Sequence, residues 1–532
     1  MPVERIQSDR HQSVVSVLRE AAQRNGGEEA YVEPRQPGGP ARRALTFGQW
    51  DAAADGVAGY LAQLGVQKGD VVALRLPSGI DYAVIYGALL RLGAITSGIN
   101  PRMGRGEVAS IVQRAQPTLM VCDLDGLDQT FDGVRAIDRT VVTAHQADGA
   151  PAALPKLSAD DPVAVVWTSG TTGTPKGALF THSSLAAVAR GTDVLSHPGD
   201  RRLSPLPFAH VGYMTRAWDE IANGVTTVIT PTPWRATDAI RILDEESITV
   251  AQGVPTQWAL MLECPELASA DLGSLRIAGT GAARMSAEQV AAVRAALGVP
   301  VVVRYTSTES SLGTGTTLSS TDEEVATTVG RPVPGVELRI IGDDDQPVPE
   351  GGIGRVQLRS AAVMAGYWGM GPGRGRSVDE LVDGAATAGV LAFDGWLTMG
   401  DFGHIGLGGN LVLSGRAHER YIRGGYNVYP AEVEEVLATH PSVARAAVVG
   451  TPDAVLGEIG VAVVVARGDA VPELAALRAH CAEQLSDYKA PDALVVVGEL
   501  PLTPMMKVDP RQLADLARQA ADERLVRRAA DR

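Results

Sequence analysis

Lysine is nearly missing from this chain. Of its 47 basic residues only five are lysines: Lys68, Lys156, Lys176, Lys489 and Lys507. Where so arginine-biased a chain keeps a lysine, a compact ammonium is favoured over a planar fork. Lys68 and Lys156 read as surface residues, whereas Lys176 and Lys507 fall within motifs described below. Cysteine is scarcer still. Cys122, Cys264 and Cys481 are odd in number and far apart. That excludes a disulfide framework and a cysteine-spaced metal site, and it fits a reducing cytoplasm. Positive charge is in deficit, with a net charge of −15, which argues against nucleic acid or an anionic membrane as a main partner. No apolar run approaches the roughly 20 residues of a membrane span. The first ten residues lack the apolar core of a signal peptide. A cytoplasmic location and no transmembrane segment are expected. No short-period repeat is visible.

What is present is globular: 45% hydrophobic and 20% charged residues over 532 positions, enough for two or more domains. Helical periodicity over Asp51–Leu64 and Asp81–Leu92 alternates with strand-like runs at Val71–Leu76, Leu119–Cys122, Val163–Trp167, Thr226–Thr230, Ile248–Gly253 and Leu275–Ala278. Such alternation indicates α/β units with parallel sheets. Beyond about residue 330, Val336–Ile341 and Gly354–Arg359 suggest a small β subdomain. The glycine-rich stretch Gly369–Arg376 reads as a mobile loop, and the segment around 369–385 as a surface insertion. After Arg416 the pattern is a compact α+β unit, with helices Pro430–Thr439 and Pro472–Gln484 and strands Ala444–Val449, Gly460–Ala466 and Ala493–Val497.

The richest segment is Thr168-Ser169-Gly170-Thr171-Thr172-Gly173-Thr174-Pro175-Lys176-Gly177, directly after the apolar run Val163–Trp167. A loop of glycines and hydroxyls can turn backbone N–H groups inward as an anion site. Its hydroxyls add neutral donors and Lys176 adds a point charge, so a polyphosphate is the natural guest. It is not a Walker A loop, whose Gly-x4-Gly-Lys-Ser/Thr pattern is broken by Pro175 and Gly177.

With four further motifs in order, the chain resembles the adenylate-forming superfamily of acyl-CoA synthetases, peptide-synthetase adenylation domains and luciferases. The texture is nearest the bacterial fatty-acyl-CoA synthetase and aryl-CoA ligase branch. The resemblance runs from about Leu45 to Leu513. Tyr305-Thr306-Ser307-Thr308-Glu309 is similar to the family's Tyr-Gly-x-Thr-Glu. It implies Tyr305 on adenine, Thr308 on the α-phosphate, and Glu309, with Thr172, on Mg²⁺. Trp396-Leu397-Thr398-Met399-Gly400-Asp401 and Gly415-Arg416 imply Asp401 and Arg416 at the ribose. Gly424-Gly425 matches the family's pantetheine-tunnel mouth, and Pro501–Lys507 its catalytic-lysine loop. Gly281, Ala282 and Ala283 stand where the family flanks adenine, and His210 where a histidine meets the acyl group.

The fold so implied is α/β. Residues 1–417 form a large N-terminal domain with two doubly wound sheets and a small β subdomain. Residues 418–532 form a small, mobile α+β domain carrying Lys507. The expected phosphate contacts are Thr168, Ser169, Gly170, Thr171, Thr172, Gly173 and Lys176. His418 falls at the hinge, where the family has Asp or Lys, and reads as a tolerated substitution. Met506 before Lys507, Thr306 in the tyrosine motif, Arg355 and Met399 are further departures.

The acyl pocket implied by the resemblance takes in His210, Val211, Tyr213, Met214, Gly253, Thr306 and Ser307, with Trp218, Trp234, Val254, Gly281 and Leu312 beside them. This set is apolar, so the expected substrate is a fatty, alicyclic, steroid-side-chain or aryl acid with one anionic end. Arg216 reads as solvent-facing, or else as a partner for a second polar group on the acid. The implied reaction consumes ATP with Mg²⁺, forms acyl-AMP and pyrophosphate, and transfers the acyl group to CoA. A non-CoA acceptor, such as a carrier-protein thiol or an amine, is the alternative. A nucleotide sensor without catalysis is a third class, opposed by the joint presence of Lys507, Glu309 and Asp401. The oligomeric state, homo-oligomers included, is open.

Overall fold

The computed structural model describes residues 13–123, 131, 133–149, 153–168, 175–191, 194–416, 421–423, 426–453, 456–468, 471–503 and 508–530. The chain divides into two compact units, the first comprising residues 1–338 and 358–397, the second 339–357 and 398–532.

The first unit is built on two large sheets. In the nine-stranded sheet, Val301–Tyr305, Ile277–Gly281, Val250–Gly253, Arg201–Ser204, Thr226–Ile229 and Glu29–Glu33 lie side by side in that order, all parallel. Antiparallel strands close both edges: Arg43–Thr46 beyond Glu29–Glu33, and Thr314–Gly315 then Arg331–Pro332 beyond Val301–Tyr305. The apolar runs seen in the sequence are these central strands, buried on both faces as parallel strands must be. On one face, Trp258, Met261, Met285, Val290 and Val293 pack against Ala251, Ala278, Val301 and Val303.

The seven-stranded sheet runs Gly366–Tyr367, Lys176–Thr181, Pro162–Thr168, Ile95–Gly98, Val71–Arg75, Leu119–Cys122, Ala136–Asp138. Helix Ile80–Leu92 packs against helix Phe47–Gln63 and is buried at every position except Asp81. The latter helix starts on a reciprocal capping box, Thr46 with Gln49.

The glycine-rich stretch, expected from composition to be a mobile loop, makes specific contacts with the rest of the first unit. The Gly371 N–H donates to the Arg114 carbonyl at 3.0 Å. Arg374 grips the fully buried Asp70 through two nitrogens, Nε at 2.6 Å. A side chain at Gly373 would put its Cβ 2.5 Å from the Gly69 carbonyl oxygen. Gly373 thus allows close approach to the start of strand Val71–Arg75.

In the second unit, Val443–Asp453 and Gly457–Ala466 form one long antiparallel hairpin, longer than the apolar core of either strand suggested. Ala493–Val497 lies parallel along the free edge of Gly457–Ala466, and Tyr421–Arg423, followed by Tyr426–Val428, pairs on that same edge at Gly457. Helices Pro430–Ala438 and Leu474–Gln484 bury Val433, Leu437, Leu477 and Cys481 against it. Arg423 holds the buried Asp492 bidentately at 2.7 and 2.9 Å. A further sheet orders Val336–Ile341, Gly354–Ser360, Leu397–Ile405 and Leu411–Arg416. No helix among the described residues is long and apolar enough to cross a membrane.

One buried histidine sets a pH dependence of stability. His182 is 1% exposed, and its Nε2 has no partner among the described residues. Burial outweighs the charge of Asp161 and lowers its pKa from 6.5 to about 4. Between those values the unfolded chain binds the proton and the folded chain does not. Stability is therefore complete above pH 6.5 and falls as pH drops toward 4. From pH 7 to pH 5 the wild type should lose about 2 kcal/mol more than His182→Gln, by denaturant melts of the first unit's transition.

Candidate active site

The two sheets of the first unit meet through three side chains. Pro162–Thr168 and Lys176–Thr181 pair antiparallel, with Thr168 opposite Lys176, so the glycine–threonine loop leaves and re-enters at neighbouring points. The Thr168 hydroxyl donates to the Lys176 carbonyl at 3.3 Å. Ser169, Gly170, Thr171, Thr172 and Gly173 lie outside the described residues. Gly366–Tyr367 adds a third strand, with Tyr367 opposite Ala178. The Lys176 ammonium sits 5.1 Å from the centre of the Tyr367 ring, within cation–π range. The Tyr367 hydroxyl donates to Glu309 Oε1 at 2.7 Å. Burial first, and then the Glu309 charge, raise the phenol well above its ordinary value. It therefore stays protonated and donating.

Glu309 reaches this point from the nine-stranded sheet. Strand Val301–Tyr305 ends at Tyr305 and turns through Thr306 to Ser310. The turn is stapled by Ser307 and Ser310, each hydroxyl accepting the other's N–H at 2.9 and 3.1 Å. Gly313 then passes so close that a Cβ there would lie 2.0 Å from the Tyr305 carbonyl oxygen. Only glycine lets the chain fold back under the tyrosine. The Glu309 carbonyl accepts the Met364 N–H at 2.8 Å, tying the turn to the strand that carries Tyr367. Thr306 is exposed, and Tyr305, Ser307, Thr308 and Glu309 are half-buried. Gly281 ends the adjacent strand, level with Arg304, and exposed Ala282 (φ +70°) and Ala283 follow.

His210 begins the short helix Val211–Met214. Its Nδ1 accepts the Gly212 N–H at 3.1 Å, which leaves the proton of the neutral ring on Nε2. His210 is half-buried, but Tyr213 and Met214 are enclosed. The Tyr213 ring stacks on Phe208 at 3.6 Å, and its hydroxyl meets the Tyr31 hydroxyl at 2.9 Å. Val211 and Trp218 are likewise buried, as are Val254 and Leu312. The Gly253 carbonyl accepts the Trp258 indole N–H at 3.1 Å.

The second unit holds Asp401 directly opposite Arg416 across an antiparallel pair. Gly424, Gly425, His418 and Lys507 lie outside the described residues.

Tyr367 is the residue that motif reading missed. It joins the loop lysine to Glu309, 58 residues away in sequence, and Gly366-Tyr367-Trp368 carries no signal of that contact. Removing only the hydroxyl, in Tyr367→Phe, should keep the ring under Lys176 and release Glu309. A charge-assisted hydrogen bond of this kind is worth about 1.5–3 kcal/mol. The expected loss is roughly tenfold in kcat/KM for ATP, read by pyrophosphate release.

As a metal site the donor set is sparse. No group of three or more His, Cys, Asp or Glu side chains suited to a metal occurs among the described residues. A single hard carboxylate next to a phosphate-binding loop fits Mg²⁺, which commonly takes one or two carboxylates plus substrate phosphates and water. Glu309 would hold it and, if bound, the ion would neutralise phosphate charge.

The chain is similar to known proteins over most of its length. The family model described as AMP-binding enzyme matches residues 18–368, and that of the AMP-binding enzyme C-terminal domain matches residues 432–507. The long-chain-fatty-acid–CoA ligase FadD13 of Mycobacterium tuberculosis is 32% identical over 92% of this chain and 96% of its own. The 3-[(3aS,4S,7aS)-7a-methyl-1,5-dioxo-octahydro-1H-inden-4-yl]propanoyl:CoA ligase of the same species is 34% identical, over 89% and 94%. Among solved structures, ATP-bound MatB from Rhodopseudomonas palustris superposes with a TM-score of 0.83, at 26% identity over 94% of this chain and 98% of that one.

Proposed function

This chain belongs to the AMP-binding enzymes, and from that membership we propose that it is an ATP-dependent acid–CoA ligase. The acid's carboxylate attacks the α-phosphorus of ATP, the bond to the β-phosphate oxygen breaks, and pyrophosphate leaves. The CoA thiol then attacks the acyl carbon of the mixed anhydride and AMP departs. A carboxylate is a poor electrophile, and the anhydride supplies the leaving group it lacks.

The observation that carries this reading is the Lys176–Tyr367–Glu309 bridge. A loop cation and a metal-type carboxylate are held at one point, where a polyphosphate and its counter-ion need them. Donors fixed before the reaction stabilise the charge that builds on phosphate oxygens. Tyr305, at the strand end, offers a ring for adenine, and Thr308 a hydroxyl for phosphate. In the second unit Asp401 and Arg416 are the ribose partners. Lys507 bridges substrate carboxylate and phosphate, with Gly424 and Gly425 at the thiol's approach. The coarse substrate class is a carboxylic acid of mainly apolar body, and the names of the similar ligases support fatty and ring-bearing acids.

The test is pyrophosphate release with ATP and Mg²⁺ across fatty, alicyclic, steroid and aryl acids, each with and without CoA, with products identified by mass. An acyl-CoA product bears the proposal out. An acyl-AMP that CoA leaves untouched assigns a different acceptor, and ATP binding without pyrophosphate release from any acid removes the enzyme reading.

A further inference from the structure

The carboxyl edge of the nine-stranded sheet carries a cation that no described residue neutralises. Arg216 is half-buried. Its Nε is fully enclosed without a hydrogen-bond partner, and no ion pair reaches the guanidinium from the described residues. From Val211 to Ala222 only Gly212 and Arg216 are not buried, and half-buried His210 precedes them. These three define the single open stripe of that segment.

The stripe's direction follows from register. Arg216 has helical backbone angles (φ −79°, ψ −20°) and leads into helix Ala217–Ala222. It therefore shares a face with Glu220, four residues on. Glu220 meets Arg202 at 2.5 Å, on strand Arg201–Ser204. The segment returns from the carboxyl end of that strand to the amino end of its parallel neighbour Thr226–Ile229. One turn back from Glu220 thus moves toward the carboxyl edge. Arg202 is level with Val250, and two residues further on the same face comes Gln252, level with Gly279. Gln252 Cγ lies 3.2 Å from where a Gly279 Cβ would be, so its side chain is on this face and covers the glycine. Its carboxamide makes no hydrogen bond among the described residues. Crevices outside the carboxyl ends of parallel strands are where open α/β sheets bind ligands.

We propose that Arg216 and Gln252 form a polar end to the acyl crevice and receive a second hydrogen-bond-accepting oxygen group on the acid, at the far end from the carboxylate being activated. This replaces the solvent-facing reading of Arg216 and rests on the adenylation reading above. A half-buried guanidinium whose Nε is enclosed and which has no counter-ion among the described residues favours a ligand that brings one. Its fork suits a carboxylate best and a ring or chain ketone next. An acid with a plain alkyl end would leave both groups unpaired.

The test compares three acids of equal length with the full chain: a straight alkyl acid, its oxo analogue and its ω-carboxy analogue. Pyrophosphate release gives kcat/KM for each in wild type, Arg216→Leu and Gln252→Leu, with melting temperature monitored. The wild type should prefer the ω-carboxy acid over the alkyl acid at least tenfold, the oxo acid falling between. In Arg216→Leu that ratio should collapse tenfold or more, mostly through KM, and in Gln252→Leu it should fall less. A wild-type preference for the alkyl acid, or a ratio unmoved in folded Arg216→Leu, overturns this inference and leaves adenylation standing. Absence of pyrophosphate release from every acid overturns both.

Discussion

Lys507→Ala should lower acyl-AMP formation by about 10²–10³-fold, the range seen when one preorganised electrostatic donor is lost. The first half-reaction brings an anionic carboxylate against an anionic triphosphate, and their repulsion must be cancelled where the new bond forms. Lys176 is committed to the face of Tyr367, 5.1 Å from its ring centre. Of the five lysines it and Lys507 alone fall in the motifs of the family resemblance, and the role proposed above for Lys507, by that resemblance, is to bridge the reacting groups. The deficit should appear in ATP–pyrophosphate exchange and spare thioester formation from synthetic acyl-AMP and CoA, where no triphosphate takes part. Equal losses in both half-reactions would assign Lys507 a structural role instead. Lys507→Arg should not restore the rate, because a planar fork does not replace a compact ammonium.

The motifs were legible because each packs its chemistry into one contiguous stretch. Glycines and hydroxyls in 168–177, an aromatic and a carboxylate in 305–309, and an aspartate in 396–401 declare themselves without tertiary knowledge. The strands were legible for a related reason. Parallel strands buried on both faces leave apolar runs, and Leu119–Cys122 and Thr226–Ile229, buried at every position, fall where strand-like runs were read. What the sequence hid was contact across the fold. Tyr367 gains its meaning from Lys176 and Glu309, and Arg374 from Asp70, 304 residues away. Gly373 looks like freedom in composition and acts as clearance in space. Tyr213, three residues after His210 in sequence, turns into an aromatic cluster with Tyr31 and Phe208, and Met214 is buried. A helix sends neighbours to opposite faces, and motif order cannot say which neighbour faces the ligand.

Glu309→Gln isolates charge from shape at the other end of the bridge. A glutamine carbonyl can still accept the Tyr367 hydroxyl, which now meets Glu309 at 2.7 Å, so the turn held by Ser307 and Ser310 should persist. What disappears is the full negative charge that a hard divalent cation requires. Adenylation should therefore fall by about 10²–10³-fold, with a raised Mg²⁺ concentration for half-maximal rate and an unchanged melting temperature. This loss should exceed that of Tyr367→Phe, which frees the carboxylate but leaves its charge in place. The double variant should be no worse than Glu309→Gln alone, since the tyrosine acts through the carboxylate it orients. A Tyr367→Phe defect that persists undiminished on the Glu309→Gln background would mean that Tyr367 works chiefly through Lys176 and the phosphate loop. The bridge would then be two independent contacts sharing one ring.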